Sequence, residues 1–256
     1  MSQGAASRTY RRRIQLGCDG RRAWADVEDD PHRFSTTIDY AAGRVTGILG
    51  EGLRTPWTTC ALAADVLQGL KGAPLDRSPF EVLARVNGSS HCTHMLDLAA
   101  LAISAAARNL SARAYEVSAI AWTEDGRELR EGELHRDGAR LAEWRAADWI
   151  MEAPPHCKGF SLRKFGSWLA VNQGREDDVE ALFVLRRAVL VSSVVTMDLD
   201  RFANAEELPL MAGSCFTFQS GRSPEGRRQV GSTRDFTRSP TDLLSDPLAR
   251  SRPKQG

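Results

Sequence analysis

The chain lacks several features that would have named its chemistry at once. It has no apolar run of the roughly 20 residues needed to cross a bilayer. Met1–Arg13 has small and basic residues but no apolar core, so neither secretion nor membrane insertion is expected. The five cysteines (Cys18, Cys60, Cys92, Cys157, Cys215) are odd in number, scattered, and form no Cys-x-x-Cys, which predicts free thiols in a reducing cytoplasm. There is no glycine-rich phosphate loop, no Gly-x-Ser-x-Gly elbow, no His-Glu-x-x-His and no internal repeat, so no nucleotide or nicotinamide cofactor is implied. Charge of one sign is missing too. A net charge of +1 creates no global field for nucleic acid or an anionic membrane.

What is present reads as an α+β protein. Residues 1–7 are expected to be disordered, 8–220 to form a single domain, and 221–256, rich in Arg, Ser and Pro, to be a largely extended or disordered tail. The Arg excess of that tail comes without aromatic interleaving, so nucleic acid is not expected as a partner. Strand-like runs over 8–17, 21–29, 32–40 and 43–50 form one antiparallel meander, with turns at Asp19-Gly20 and Ala42-Gly43. Runs over 113–124, 127–136 and 139–149 form a second, split by Asp125-Gly126 and Asp137-Gly138. The expected architecture is two antiparallel meanders around buried helices, closing into a barrel-like or half-barrel pocket. Trp122, Trp144 and Trp149 either line such a pocket or fill the core.

The densest set of reactive side chains is Ser89-Ser90-His91-Cys92-Thr93-His94-Met95-Leu96-Asp97-Leu98. Ser89 or Ser90 is positioned to cap a helix over 90–110, and from Met95 to Ala107 the only ionisable residue is Asp97, as in a buried helix. A helix N-terminus favours a Cys92 thiolate and an ionised Asp97. His94 and Asp97 are three residues apart, so Asp97 can orient the imidazole as an acid or base. The plainer alternative leaves Cys92 in the core and pairs Asp97 with a buried arginine. His32 lies at a strand edge beside Asp29 and Asp30, either as a solvated turn residue or as a second acid/base.

Further candidates flank this stretch. Thr55 and Pro56 suit the start of a helix, placing Arg54 and Trp57 at an entrance that could hold an anionic group and stack an aromatic ring. Cys60 falls on the core face of that helix. A short helix is expected over 79–86, another from Ser161 with Phe165, Trp168 and Leu169 on one face, and a third from Glu176 to about Asp198. Arg186 interrupts the apolar stripe of the last one, so it must either pair, with Asp97 for example, or bind an anion. Gly213–Gln219 reads as a short strand. Cys92 and His94 would hold zinc or iron only if His32, Cys60 or Cys215 converged on them, and the expected centre holds no metal.

The Cys92–Leu98 stretch resembles a bacterial family of unknown function whose members carry Gly-Cys-Thr-His-Leu followed by an acidic residue and Leu. Asp29-Asp30-Pro31-His32-Arg33-Phe34, Arg54-Thr55-Pro56-Trp57-Thr58-Thr59-Cys60 and Gly213-Ser214-Cys215-Phe216-Thr217-Phe218 also match, so the resemblance spans about residues 10–240. His91 replaces the usual Gly and Met95 the usual Leu, and neither change removes a reactive group. The resemblance implies a protein of catabolic gene sets for hydrophobic or aromatic compounds, with an activity such as a lyase that releases formaldehyde from lignin-type aromatic dimers. The resulting expectation is a cofactor-independent lyase or isomerase whose step begins with proton abstraction. Catalytic residues would be His94, Asp97, His32 and Cys92, and substrate-binding residues Arg54, Trp57 and Arg186. A Cys-nucleophile hydrolase or transferase, a metalloenzyme, and a non-catalytic ligand-binding protein are the alternatives. The expected partner is the hydrophobic small molecule, with a homodimer as an option.

Overall fold

The computed structural model describes residues 8–163 and 175–246. Eight strands form one open antiparallel sheet: β1 (Tyr10–Cys18), β2 (Arg22–Asp29), β3 (Arg33–Ala41), β4 (Arg44–Arg54), β5 (Arg113–Glu124), β6 (Arg127–Arg136), β7 (Ala139–Ala147) and β8 (Ile150–Ala153). Their order is β4-β3-β2-β1-β5-β6-β7-β8. The described α-helices are α1 (Pro79–Ala84), α2 (Thr93–Arg108) and α3 (Glu176–Val191). The α+β expectation therefore holds.

The barrel does not. Closure would require the two outermost strands to pair with each other; the sheet is open instead, and each outer strand bonds in part to the chain that follows it. At β4, Val45 N–H donates to Ala73 O (3.0 Å), Gly72 N–H to Val45 O (2.8 Å) and Leu75 N–H to Gly43 O (2.8 Å). At β8, Met151 N–H donates to Phe160 O and Gly159 N–H to Met151 O (2.9 and 2.8 Å).

Two compact units divide the chain. The first takes in Met1–Arg13, Ala114–Asp198 and Asp235–Leu243; the second Ile14–Arg113, Leu199–Arg234 and Leu244–Gly256. In the first, β5, β6 and β7 fall where their turns predict, since Asp125-Gly126 and Asp137-Gly138 both have positive φ at the two central residues. Strand β8 carries no such signal. The Asp148-Trp149 turn before it holds φ of 48° and 70° without glycine. Trp149 is fixed there by the Arg130 and Arg163 guanidinium groups, 4.0 and 4.5 Å from its ring. Trp144 is core, at 1 % exposure. Helix α3 stops at Val191, short of Asp198, and a 3₁₀ turn follows. Tyr115 O–H donates to the buried Glu180 carboxylate from α3 at 2.8 Å. The helix expected from Ser161 lies mostly outside the described residues.

In the second unit α2 packs on β2 and β3. It is buried from His94 to Ala106, as its composition requires. A Cβ on Gly50 would stand 2.7 Å from Leu67 Cδ1 and 3.3 Å from Met95 Sδ, so the glycine lets these side chains pack directly onto β4. The helix begins later than expected. Cys92, not Ser89 or Ser90, is at the N-cap, without a side-chain cap bond, and Asn109 ends the helix in the left-handed conformation. Past β4 a 3₁₀ helix runs Cys60–Leu70, so Thr55-Pro56 opens a turn instead of a helix. Residues 213–219 are turns, not a strand. Of the 221–256 stretch, expected to be largely extended or disordered, residues 221–246 are described: they form no strand, but a three-residue 3₁₀ turn and isolated β-bridges from Arg227 to Asn204 and from Arg228 to Trp57, with Arg228 and Phe236 buried.

Candidate active site

The site is built on the β2–β3 turn. Strand β2 ends at Asp29, and Pro31 holds the turn's backbone in a narrow φ range. Asp29 N–H donates to His32 O (2.9 Å), His32 N–H to Asp29 O (3.3 Å), and the Asp29 Oδ1 also accepts from His32 N–H at 2.9 Å. The same Oδ1 lies 2.9 Å from His32 Nδ1. A side chain that closes its own turn is an ordinary use of aspartate. Here it also aims an imidazole.

Helix α2 supplies the third member. Thr36 O–H on β3 donates to Met95 O (3.3 Å), which ties the first turn of the helix to the sheet. His94 therefore stands over β3. Its ring centroid is 4.0 Å from that of His32 and 5.5 Å from that of Phe34, which it faces at an interplanar angle of 10°. Ligand-capable atoms of Asp29, His32 and His94 all fall within 4.8 Å of one another. Asp29 is fully buried and His94 is 7 % exposed, whereas the His32 side chain keeps 13 % and forms the edge that solvent reaches.

Arg54, at the end of β4, serves this turn. Its Nη1 donates to Asp30 O (2.6 Å) and Ser232 O (2.9 Å), and its Nη2 to Asp29 O (2.7 Å), His32 O (3.1 Å) and Glu28 Oε1 (3.2 Å). Burial lowers its pKa, opposed by the Glu28 and Asp29 carboxylates. The expectation of an anion-binding arginine is thus corrected: the planar fork is spent on four backbone carbonyls, three of them in the turn, and a buried carboxylate, which a single side chain can satisfy only with such a fork. Trp57 is likewise no wall for a substrate. It is 3 % exposed, packed edge-on to Phe218 at 6.2 Å, with the Arg228 guanidinium 5.8 Å from its ring.

The remaining candidates divide. Asp97 is buried on α2 but is not a member of the trio; the carboxylate beside His32 is Asp29. Cys92 is not the thiolate that a helix N-terminus favours. Burial pushes its thiol well up, and the lowering by the N–H groups of Met95 and His94 is smaller. Burial likewise pushes Cys60 up to about 12, with its Sγ 3.4 Å from Thr217 Oγ1. Arg186 belongs to the first unit, where its Nε donates to Leu162 O at 2.8 Å.

A cavity of about 870 Å³ lies in the first unit, lined among others by Ser118, Glu131, Glu133, Trp144, Pro154 and His156. None of the expected catalytic or substrate-binding residues lines it, although the buried Trp144 borders it. Its Glu133 is already engaged by His135 (3.2 Å) and Arg140 (3.1 Å). We place the site by convergence of reactive groups rather than by volume, because chemistry requires the former. Sequence reasoning noted Asp29 and Phe34 only as neighbours of His32. The available signal was the spacing Asp-x-x-His across a proline turn, which brings the carboxylate back onto the ring. No family model matches the chain, and no curated protein matches it.

Proposed function

We propose that the Asp29–His32–His94 centre is the active centre of an enzyme that begins by removing a proton from a hydrophobic, aromatic small molecule. The observation that carries this is the convergence of two imidazoles and a buried carboxylate from two separate stretches of chain, the β2–β3 turn and the first turn of α2, with one imidazole at the solvent edge. Buried ionisable groups brought together at this cost are characteristic of reactive sites. The trio supplies the proton acceptor, either an imidazole or a water that it activates. Asp29 fixes the His32 ring, Phe34 supports the His94 ring, and Arg54 is a positioning residue that holds the turn.

The substrate class follows from the family that the Cys92–Leu98, Asp29–Phe34, Arg54–Cys60 and Gly213–Phe218 stretches resemble. For a lignin-type dimer bearing a hydroxymethyl group, the hydroxyl proton leaves first. The carbon–carbon bond then breaks to release formaldehyde, and a proton returns to the carbon left behind. An isomerase uses the same opening step. General-base assistance of this kind contributes about 10²–10⁴ in rate. The assay is formaldehyde release from such dimers by the full chain. His94→Ala and His32→Gln should each lose at least about 100-fold in kcat with circular dichroism unchanged, while His135→Gln on β6 keeps full rate. Undiminished turnover in folded His94→Ala would remove the centre from catalysis.

A further inference from the structure

Asp29, His32 and His94 are a set that suits a metal as well as a proton. We propose that the trio binds one divalent first-row transition-metal ion, with three protein ligands and open positions facing the His32 edge. The proposal rests on the active-centre assignment above and states what the centre holds.

The donor set decides the class of ion. Two imidazole nitrogens and one carboxylate oxygen suit zinc, iron(II), cobalt or manganese, whereas calcium and magnesium prefer all-oxygen shells. The spacing fits as well. Ligands about 2.1 Å from one ion and at right angles lie about 3 Å apart, and Asp29 Oδ1 is 2.9 Å from His32 Nδ1. Across the whole trio the ligand atoms lie within 4.8 Å of one another, and ligands opposite each other on one ion lie about 4.2 Å apart, so His94 must close on the other two when the ion binds. Charge points the same way. Asp29 is wholly buried, and an ion with two neutral imidazoles and one carboxylate leaves a net single positive charge that stabilises that carboxylate.

The surroundings are those of a held centre. The Arg54 fork bonds Asp29 O and His32 O, so the backbone on either side of the turn is fixed. The His94 ring is flanked by Phe34 and His32, the three ring centroids lying 4.0–5.7 Å from one another. Such support sets ligand direction and commonly matters 10–100-fold in metal affinity. Three protein ligands leave room for a water and for a substrate oxygen, the arrangement of reactive rather than structural sites. When bound, the ion would lower the pKa of that water, giving the proton acceptor of the preceding section without requiring a free imidazole.

The test uses the full chain, stripped with a chelator and titrated with Co²⁺, whose visible d–d absorption reports its ligands. One equivalent should bind with visible bands and raise Tm. His94→Gln and His32→Gln should each weaken binding at least 100-fold, and His135→Gln should not. Each variant is checked by circular dichroism, and if His94→Gln does not fold, Asp29→Asn takes its place beside His32→Gln. No saturable Co²⁺ binding by the stripped chain, or binding that folded trio variants leave unchanged, overturns the metal site. If Co²⁺ does not bind but the trio variants still lose formaldehyde release, the metal proposal alone fails. If it binds one to one through the trio and those variants keep full turnover, the metal site stands and the enzymatic role falls.

Discussion

Replacing Arg54 tests whether the turn that carries Asp29 and His32 is held as the bonds indicate. In Arg54→Ala, five hydrogen bonds of 2.6–3.2 Å are lost. The Glu28 carboxylate, 1 % exposed, loses its nearest cation, although Leu244 N–H still donates to its Oε2 at 2.8 Å and the Arg33 and Arg234 guanidinium groups remain 4.0 Å away. Removing one partner of a buried ion pair costs about 3–5 kcal/mol. The exposed route to water at the turn edge, where the Arg54 side chain keeps 11 %, places the expected value toward the lower end, about 3 kcal/mol. In Arg54→Lys the charge stays but the fork goes, so the loss should be about half as large, on the order of 1.5 kcal/mol. The assay is urea unfolding of the two variants and the parent, followed by tryptophan fluorescence and circular dichroism in parallel. For a chain of this size about 3 kcal/mol corresponds to a Tm lower by about 6–12 °C. If Arg54→Ala costs under about 1 kcal/mol, or if Lys and Ala are equal, the guanidinium is not the clamp. If stability is untouched while KM for an anionic substrate rises, Arg54 is the substrate-binding arginine that the sequence suggested.

Two further outcomes follow from burial. The Cys60 thiol keeps its proton to about 12, whereas an ordinary thiol releases it near 9, so above pH 9 the unfolded chain binds fewer protons than the folded one. This stabilising contribution is complete below pH 9 and is lost as pH rises toward 12, at up to about 1.4 kcal/mol per pH unit. Urea titrations from pH 8.5 to 10.5 should therefore show a shallower decline for Cys60→Ala than for the parent, and equal slopes would refute it. In the first unit, a Cβ at Gly132 would collide with Ser118 O and stand 2.9 Å from Trp144 Cζ2. Gly132→Ala should cost about 1–3 kcal/mol by overpacking between β5 and β7, measured as a drop in Tm, and a neutral substitution would show that the sheet relaxes there.

Much of the fold was legible in the residues themselves. Asp125-Gly126 and Asp137-Gly138 specify two-residue hairpins by local backbone sterics, and β5, β6 and β7 take their register from them. The run from Met95 to Ala107 could only be a helix buried nearly all round, since it offers almost nothing for water to solvate. The prominence of His94 and His32 was local as well, a matter of residue type and spacing.

Other features required the folded chain. Strand β8 follows a turn without glycine, supported by two arginines on Trp149 that come from β6 and from the segment after β8. Cys92 looked activated because a helix N-terminus acts over a single turn, yet its burial outweighs that field and depends on packing from distant segments. Spacing along one helix suggested Asp97 for His94, whereas the Asp29 carboxylate, 2.9 Å from His32 Nδ1, reaches the imidazole pair from the end of β2 through a turn that spacing alone did not single out. Arg54 looked free for a ligand until the carbonyls of the neighbouring turn took up its donors. Residue chemistry and short-range sterics are written in order along the chain. Which charges meet, and which are cut off from water, depends on contacts between residues tens to hundreds of positions apart, and only tertiary packing creates these.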